Sequence, residues 1–186
     1  MIVNLPYPYS IRPLEYPYLK MVLEWRNSYR IHSVMLTDHR ITWEEHTRWF
    51  QSASQAIPRR QLLFLCDTIP IGYIGYNAFN NNNNSCSPGA YIGEINGNIP
   101  IDAAFYLFLV SIDYAFEVLK VTTLKIEVFK KNKRALKIDK ALGYRIVGES
   151  SVIKNGIAED IYLLELKLND WEKHKLNFAI YSGGRY

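Results

Sequence analysis

Residues 89–132 read GAYIGEINGNIPIDAAFYLFLVSIDYAFEVLKVTTLKIEVFKKN, and this stretch decides the fold. The pattern predicts a strand over 91–95, then a loop over 96–100 in which glycine and proline interrupt the regular structure. An almost wholly apolar helix follows over 103–119 and is expected to be buried. Apolar and polar residues alternate over 123–129, which predicts a second strand. Two strands joined by one helix form a βαβ unit, in which the strands are parallel.

Polar residues stand at both helix starts in this stretch. Asp102 precedes the long helix, where its carboxylate can accept the free N–H groups of the first turn. Asn132 is predicted to cap a second helix, which ends at Gly143 because glycine suits the left-handed conformation of a helix C-terminus. A helix N-terminus at the end of a strand is also a ready anion site, so the ligand expected here is an anion.

The composition indicates a single domain over residues 1–186. The chain has 186 residues, and its hydrophobic content of 48% is enough to bury a full core. The net charge of +4 comes from dispersed basic residues, so no nucleic-acid partner is predicted. The longest apolar run, over 103–112, is too short to cross a bilayer, so no membrane partner is predicted either.

The cysteines and the N-terminus predict a cytoplasmic protein. Cys66 lies in an apolar run and Cys86 in an asparagine-rich loop, which is neither a disulfide framework nor a zinc spacing. No metal is therefore expected. The N-terminus lacks the charged and apolar regions of a signal peptide, which favours the reducing cytoplasm. A homodimer is one oligomeric state that the sequence leaves open.

The whole chain predicts elements in the order β α α β β β α β α β β. Thr42 and Glu45 form a capping box that starts a helix over 43–53, and Asn155-Gly156 is a strong signal for a tight hairpin. A short helix is predicted over 169–175, with a loose tail over about 177–186. This order predicts an α/β (α+β) fold with a mixed, largely antiparallel central sheet flanked by helices.

With these elements in this order, the chain resembles the GNAT N-acetyltransferase superfamily over nearly its whole length. The matching residues are Tyr91-Ile92-Gly93-Glu94, the helix ending Asp113-Tyr114-Ala115-Phe116, Glu127-Val128, Asn132, Ala135 and Leu142-Gly143-Tyr144. The N-terminal half is similar to the branch that acetylates nucleotide-linked amino sugars, in particular to the N-acetyltransferases of the pseudaminic-acid pathway. The residues of that likeness are Trp25-Arg26-Asn27, Arg30, Met35, Asp38-His39, Ile41, Glu45-His46 and Trp49-Phe50.

The resemblance implies an acyl-CoA-dependent N-acetyltransferase with acetyl-CoA as its co-substrate. It implies that the acceptor is the amino group of a 4-amino-4,6-dideoxy hexose linked to UDP or dTDP, in surface-glycan synthesis. The neutral amine would attack the thioester directly, and the pantetheine arm would pair with the strand at 92–95. The implied cofactor-binding residues are Ile92, Gly93, Ile95, Ala103, Ala104 and Asn132.

Two positions depart from the family pattern. The family's phosphate loop is glycine-rich, because phosphate oxygens approach backbone N–H groups closely, whereas this chain has Ile101-Asp102-Ala103-Ala104. Asp102 would repel a pyrophosphate unless it turns away.

Many members also place a tyrosine seven residues after the asparagine, as the acid that protonates the leaving thiolate, and that position is Asp139 here. A buried Asp139 with a raised pKa can serve as the acid; the alternatives are Tyr144 or a water as acid, with Asp139 a solvated charge.

The candidate general bases are two glutamates on predicted strands. Glu94 is expected to take the amine proton through a water, and Glu127 is the second candidate. The alternative for each is a buried ion pair.

The substrate-binding candidates lie in the N-terminal half. Arg26 and Arg30 can bind carrier phosphates through bidentate hydrogen bonds, with a surface salt bridge as the alternative. For His39 and His46, satisfied hydrogen bonds are the default expectation. His39 lies in an irregular segment, where binding residues concentrate, and is therefore favoured over His46 as a binding residue. The tryptophans and Phe50 are expected in the core.

Two other functions stay open at this point. A GNAT enzyme that acetylates a protein N-terminus or another small amine would need an open trough for a peptide, instead of a closed pocket of aromatic and basic side chains. A degenerate GNAT fold that binds a ligand without catalysis is favoured by the missing glycines and by Asp139.

Overall fold

The computed structural model describes residues 7–94 and 99–181, with side chains as far as residue 175. Seven strands in these residues form one sheet in the order β1-β2-β3-β4-β5-β7-β6. The strands are β1 (Tyr9–Pro13), β2 (Gln61–Cys66), β3 (Ile69–Asn80), β4 (Ser85–Ile92), β5 (Thr123–Phe129), β6 (Arg145–Lys154) and β7 (Ile157–Lys167). Strands β1 and β2, β2 and β3, β5 and β7, and β6 and β7 pair antiparallel, while β4 and β5 pair parallel. The predicted fold class, a mixed and largely antiparallel sheet with helices, is confirmed.

Six helices accompany the sheet in the described residues. They are α1 (Leu19–Asn27), α2 (Tyr29–His32), α3 (Trp43–Ala53), α4 (Ala103–Glu117), α5 (Lys133–Ala141) and α6 (Leu168–Tyr181), and a turn of 3-10 helix over Tyr16–Tyr18 precedes α1. None of the helices in this part of the chain is long and apolar enough to cross a membrane.

The contacts divide the chain into two compact units. We call residues 7–77, 89–94 and 99–111 the N-terminal unit, and residues 78–88 and 112–181 the C-terminal unit. Buried apolar side chains form the core of the N-terminal unit: Leu14, Leu19, Val22, Trp25, Ile31, Leu63, Leu65 and Tyr91. The buried apolar residues of the C-terminal unit include Leu124, Phe129, Leu136, Leu142, Ile161, Leu164, Leu166 and Trp171.

Local sequence signals set several elements at their predicted residues. The capping box forms: the Thr42 hydroxyl accepts from the Glu45 amide at 3.2 Å, and the Glu45 carboxylate accepts from the Thr42 amide at 2.7 Å. It starts α3 at the predicted residue. Asn155 and Gly156 both have positive φ, 51° and 75°, which is the conformation of the tight turn that joins two hairpin strands.

The strand predicted over 91–95 is wrong at its end, because β4 stops at Ile92. The amides of Gly93 and Glu94 both donate to the carbonyl of Ile71, at 2.9 and 3.2 Å, so the chain turns out of the extended conformation. Gly93 lies against the indole of Trp25, and a Cβ at Gly93 would stand 2.0 Å from that ring. The parallel pair with β5 is short and joins Ser85 to Thr123 and Cys86 to Leu124.

The C-terminal helix is longer than predicted. The helix predicted over 169–175 runs from Leu168 to Tyr181, so the loose tail expected from 177 begins no earlier than 182. Trp171 is buried, and its Nε1 donates to Asp113 at 2.8 Å; Lys175 donates to both oxygens of the same carboxylate at 2.8 Å. These contacts hold a helix whose isolated sequence signal is weak.

Candidate active site

A cavity of about 460 Å³ lies within the N-terminal unit. Its wall combines cationic, imidazole and aromatic side chains: Arg26, His39, His46, Trp49, Tyr73 and Tyr91. Helix α1 supplies the arginine in its last turn, and the capping box places His46 and Trp49 three residues apart on one face of α3. The two tyrosines come from β3 and β4.

Aromatic rings form a continuous row along this cavity. His46 stacks on Trp49 with ring centroids 5.0 Å apart, Trp49 meets Tyr73 edge-on at 6.4 Å, and Tyr73 meets Tyr91 at 5.3 Å. The Tyr73 hydroxyl donates to the side chain of Gln61. Burial raises the pKa of both tyrosines, so they stay neutral and offer flat, rigid faces to a ligand.

His46 is buried, with 5% of its surface exposed. Its ring is hydrogen-bonded to the backbone of Leu19, and burial lowers its pKa, so the imidazole is neutral at neutral pH. The Nε2 atom has no hydrogen-bond partner in the described residues. Because a neutral imidazole that donates through one nitrogen accepts through the other, Nε2 is an unused acceptor. The expectation that His46 is fully satisfied is therefore wrong for this nitrogen.

Arg26 contributes an unused donor to the same cavity. Its guanidinium is largely withdrawn from solvent, and this burial lowers its pKa, while the nearby hydroxyls of Tyr91 and Tyr73 oppose the shift. Its Nη1 has no hydrogen-bond partner in the described part of the chain. A buried unpaired donor is costly, and Arg26 and His46 give the cavity one donor and one acceptor without a partner in the described residues.

The other two predicted substrate-binding residues differ in position. His39 is exposed and lines the cavity, where its Nε2 lies 3.3 Å from a Glu45 carboxylate oxygen. Arg30 does not line the cavity. Its Nη2 donates to the carbonyl oxygens of Ile92 at 2.8 Å and Gly93 at 2.9 Å, so it holds the end of β4.

The expected phosphate loop has an acidic side chain that is already engaged. The Tyr9 hydroxyl donates to the Asp102 carboxylate, which gives Asp102 a partner within the N-terminal unit. Ala103, the first residue of α4, is fully buried, and Ala104 is half-buried. Ile95, the remaining predicted cofactor-binding residue of this unit, lies outside the described residues.

In the C-terminal unit, α5 carries two predicted site residues. The Asn132 side chain accepts from the Ala135 amide at 3.1 Å, which confirms its role as the helix cap. Asp139 is half-buried, and burial raises its pKa from 3.8 to about 7. The alternative of a fully solvated charge at Asp139 is therefore wrong. Tyr144 is buried behind it, with a backbone hydrogen bond to the Asp139 carbonyl at 3.0 Å, and burial raises the pKa of its hydroxyl.

The two candidate bases have different environments. Glu94 is half-buried just after β4, and its amide is tied to Ile71. Glu127 is exposed on β5, which excludes a buried ion pair there, and lines a second cavity of about 420 Å³ in the C-terminal unit together with Cys86 and Ser87. No cluster of three His, Cys, Asp or Glu side chains in the described residues has the arrangement of a metal site.

Sequence reasoning missed the aromatic part of the cavity wall. Trp49, predicted for the core, does pack against it but also lines the cavity, and neither Tyr73 nor Tyr91 was predicted to bind substrate. The available signal was the capping box at Thr42, which fixes the face of α3 on which His46 and Trp49 lie. The two tyrosines had no local signal, because a buried strand carries the same residues whether it faces a core or a cavity.

Comparison with known proteins agrees with this architecture. No protein-family model matches the chain. An acetyltransferase PseH of Campylobacter jejuni serotype O:2 is 36% identical over 121 residues, which cover 64% of this chain and 72% of the relative. The acetyltransferase PseH of C. jejuni serotype O:23/36 is 31% identical over 159 residues, which cover 82% of this chain and 87% of the relative. The crystal structure of spermidine N-acetyltransferase from Vibrio cholerae, in complex with CoA and spermine, aligns with a TM-score of 0.78 at 17% identity, over 88% of this chain and 98% of that one.

The mixed sheet, the parallel β4–β5 pair and the crossover helix are those of a GNAT N-acetyltransferase. This class uses acyl-CoA as its donor. Within it, the chain belongs to the family of the PseH acetyltransferases.

Proposed function

We propose that the protein transfers the acetyl group of acetyl-CoA to the amino group of a nucleotide-linked 4-amino-4,6-dideoxy hexose. The observation that supports this proposal is the cavity of the N-terminal unit, in which buried Arg26 Nη1 and His46 Nε2 have no hydrogen-bond partner among the described residues and lie beside a row of aromatic rings. A wall of aromatic and basic groups suits a sugar nucleotide better than a peptide. The names of the C. jejuni relatives state an acetyltransferase and no acceptor. The sugar acceptor in this proposal comes from the resemblance to the N-acetyltransferases of the pseudaminic-acid pathway.

Each wall group has a chemical counterpart on such an acceptor. A sugar hydroxyl or a base N–H can donate to His46 Nε2, and a phosphate or carbonyl oxygen can accept from Arg26 Nη1. The apolar faces of a sugar ring or a base stack on Trp49, Tyr73 and Tyr91. His39, at the exposed side of the wall, is proposed to contact the acceptor as well.

For acetyl-CoA, the residues proposed to contact it are Ile92, Gly93, Ile95, Ala103, Ala104 and Asn132. The Tyr9 hydroxyl donates to the Asp102 carboxylate and gives it a partner within the unit, but this neutral group does not cancel the repulsion expected between a carboxylate and a pyrophosphate. Ala103 at the start of α4 is fully buried, and its amide already donates to the Pro100 carbonyl at 3.0 Å, so this amide is not available to a phosphate. We propose that Arg30 acts at the same end of β4, because its hydrogen bonds to Ile92 and Gly93 favour a positioning role over a contact with a carrier phosphate.

The proton transfers are assigned to Glu94 and Asp139. As the new C–N bond forms and the C–S bond breaks, Glu94 takes the amine proton through a water, and Asp139 gives a proton to the leaving thiolate. With a pKa of about 7, Asp139 is half protonated at neutral pH and can donate without a tyrosine at this position. A cytoplasmic location is part of the proposal, in keeping with two cysteines, Cys66 and Cys86, that form no disulfide in the described residues. A homodimer stays a prediction.

The test is an acetyl transfer assay with defined acceptors. The purified protein is incubated with acetyl-CoA and a UDP-linked 4-amino-4,6-dideoxy hexose, and the released thiol is titrated. We expect one thiol and one N-acetyl sugar per acceptor consumed, and no thiol with the matched 4-hydroxy sugar nucleotide. Repeating the assay with a dTDP-linked amino sugar shows which of the two nucleotide carriers the protein accepts. Thiol release with an N-terminal peptide, and none with either sugar nucleotide, would replace this proposal with the protein-acetylating alternative.

A further inference from the structure

The side chain of Asn27 is joined to the backbone of Ile41 by two hydrogen bonds. Asn27 Nδ2 donates to the Ile41 carbonyl at 2.8 Å, and the Ile41 amide donates to Asn27 Oδ1 at 2.9 Å. Both bonds are partly buried and span 14 residues of sequence. The amide of Asn27 thus pairs with one backbone unit as a neighbouring strand would, using a donor and an acceptor at once.

The residue held in this way lies at a structural junction. Residues 33–41 have no helix or strand, and Met35, Thr37, His39 and Ile41 from this segment line the cavity of the N-terminal unit. Backbone without its own ladder of hydrogen bonds needs other partners to keep one conformation. Asn27 supplies two of them at the last residue of this segment.

Ile41 also fixes where the next helix begins. Thr42 follows it directly and caps α3, the helix that brings His46 and Trp49 to the cavity. On the other side of the pair, Asn27 follows Arg26, whose guanidinium lines the same cavity. One side chain therefore ties the end of α1, with Arg26, to the start of α3, with His46.

We propose that Asn27 is a positioning residue for the acceptor site: it sets the separation of the Arg26 and His46 groups and the path of the wall between them. This inference rests on the proposed function, because it takes the cavity to be the acceptor site. Asn27 itself does not line the cavity and is not assigned a contact with the acceptor. Its loss is expected to weaken acceptor binding selectively, since small displacements of binding groups reduce affinity strongly.

The test is Asn27→Asp, a nearly isosteric change that keeps Oδ1 as the acceptor for the Ile41 amide but sets an oxygen against the Ile41 carbonyl. We expect the KM for the UDP-linked amino sugar to rise about tenfold, with the KM for acetyl-CoA within about twofold of the wild-type value. The matched control is Asn81→Asp, the same chemical change in the exposed loop between β3 and β4. Hydrogen exchange should show faster exchange of the Ile41 amide in Asn27→Asp and not in the control.

Trp49→Ala separates the failure of this inference from that of the proposed function. An unchanged acceptor KM in Trp49→Ala means that the cavity is not the acceptor site, and the proposed function fails with it. A raised acceptor KM in Trp49→Ala and an unchanged one in Asn27→Asp overturns the role of Asn27 alone. Asn27→Ser, too short to reach both Ile41 groups, serves as the second variant. If neither Asn27 variant folds, Asn27 is a general stabilising residue and the inference is rejected.

Discussion

Arg30 donates a hydrogen bond to the carbonyl oxygen of Gly93 at 2.9 Å, across 63 residues of sequence. A second bond from the same nitrogen reaches the Ile92 carbonyl. Cationic donors make stronger hydrogen bonds than neutral ones, so one arginine on the short helix α2 fixes the point where β4 ends.

Arg30→Met is expected to raise the KM for acetyl-CoA by about fivefold to tenfold, because the strand end proposed to contact pantetheine loses two charge-assisted hydrogen bonds. The acceptor KM should stay unchanged. Steady-state kinetics with each substrate varied in turn measures both values. Arg48→Met is the matched control, since Arg48 is exposed on α3 and does not line the cavity. A rise in the acceptor KM alone would instead indicate that Arg30 binds a carrier phosphate.

Gly93→Ala is expected to lower the free energy of unfolding by about 2–3 kcal/mol, because the new methyl group overlaps the indole of Trp25 in a packed core. Urea unfolding measures the loss. Gly89→Ala provides the comparison, since a Cβ at Gly89 meets nothing within 4 Å. Equal stability of the two variants would show that Trp25 gives way readily.

His46→Phe is expected to raise the KM for the acceptor about tenfold, because phenylalanine keeps the stacking on Trp49 but lacks both the Nε2 acceptor and the hydrogen bond to the Leu19 backbone. The KM for acetyl-CoA serves as the internal control and should not change. An unchanged acceptor KM would mean that Nε2 does not contact the ligand.

Asp139 makes the stability of the fold depend on pH. Its folded-state pKa is about 7, against an ordinary value of 3.8, so the folded state favours the protonated form. The contribution of this shift to the free energy of unfolding is fully present below about pH 4. It is lost as the pH rises from there through 7, and the loss is at most about 4 kcal/mol. Asp139→Asn should remove this dependence and be the more stable protein at pH 8. Urea unfolding of both proteins at pH 4 and pH 8 tests the sign. If the wild-type protein becomes more stable relative to Asp139→Asn as the pH rises, the prediction is contradicted.

Asp139→Tyr should change the pH profile of the reaction more than its rate at pH 7. If Asp139 is the proton donor, wild-type kcat falls as the pH rises through about 7, because the acid loses its proton. A tyrosine, with an ordinary pKa near 10, should keep the reaction active to higher pH. Rates measured between pH 6 and 10, with acetyl-CoA saturating, give the profile. Identical profiles for the two proteins would remove Asp139 from proton transfer.

The sequence by itself determined the elements whose signals are local. The Thr42–Glu45 capping box, the β5 alternation, the Asn132 cap and the Asn155-Gly156 turn each depend on residues a few positions apart. Their order was enough to predict the mixed sheet, because few architectures accommodate that order, whereas the superfamily was predicted from the resemblance of these residues to the GNAT pattern.

Only the tertiary structure decided which polar groups are engaged and which lack a partner among the described residues. Arg30 holds β4, Asp102 is engaged by Tyr9, and α6 is held by Asp113, each through a partner more than 50 residues away. Likewise, burial of Asp139 and the unpaired Nε2 of His46 depend on what the fold packs around them. Local patterns specify backbone conformation, whereas desolvation and long-range partners exist only after the chain has folded.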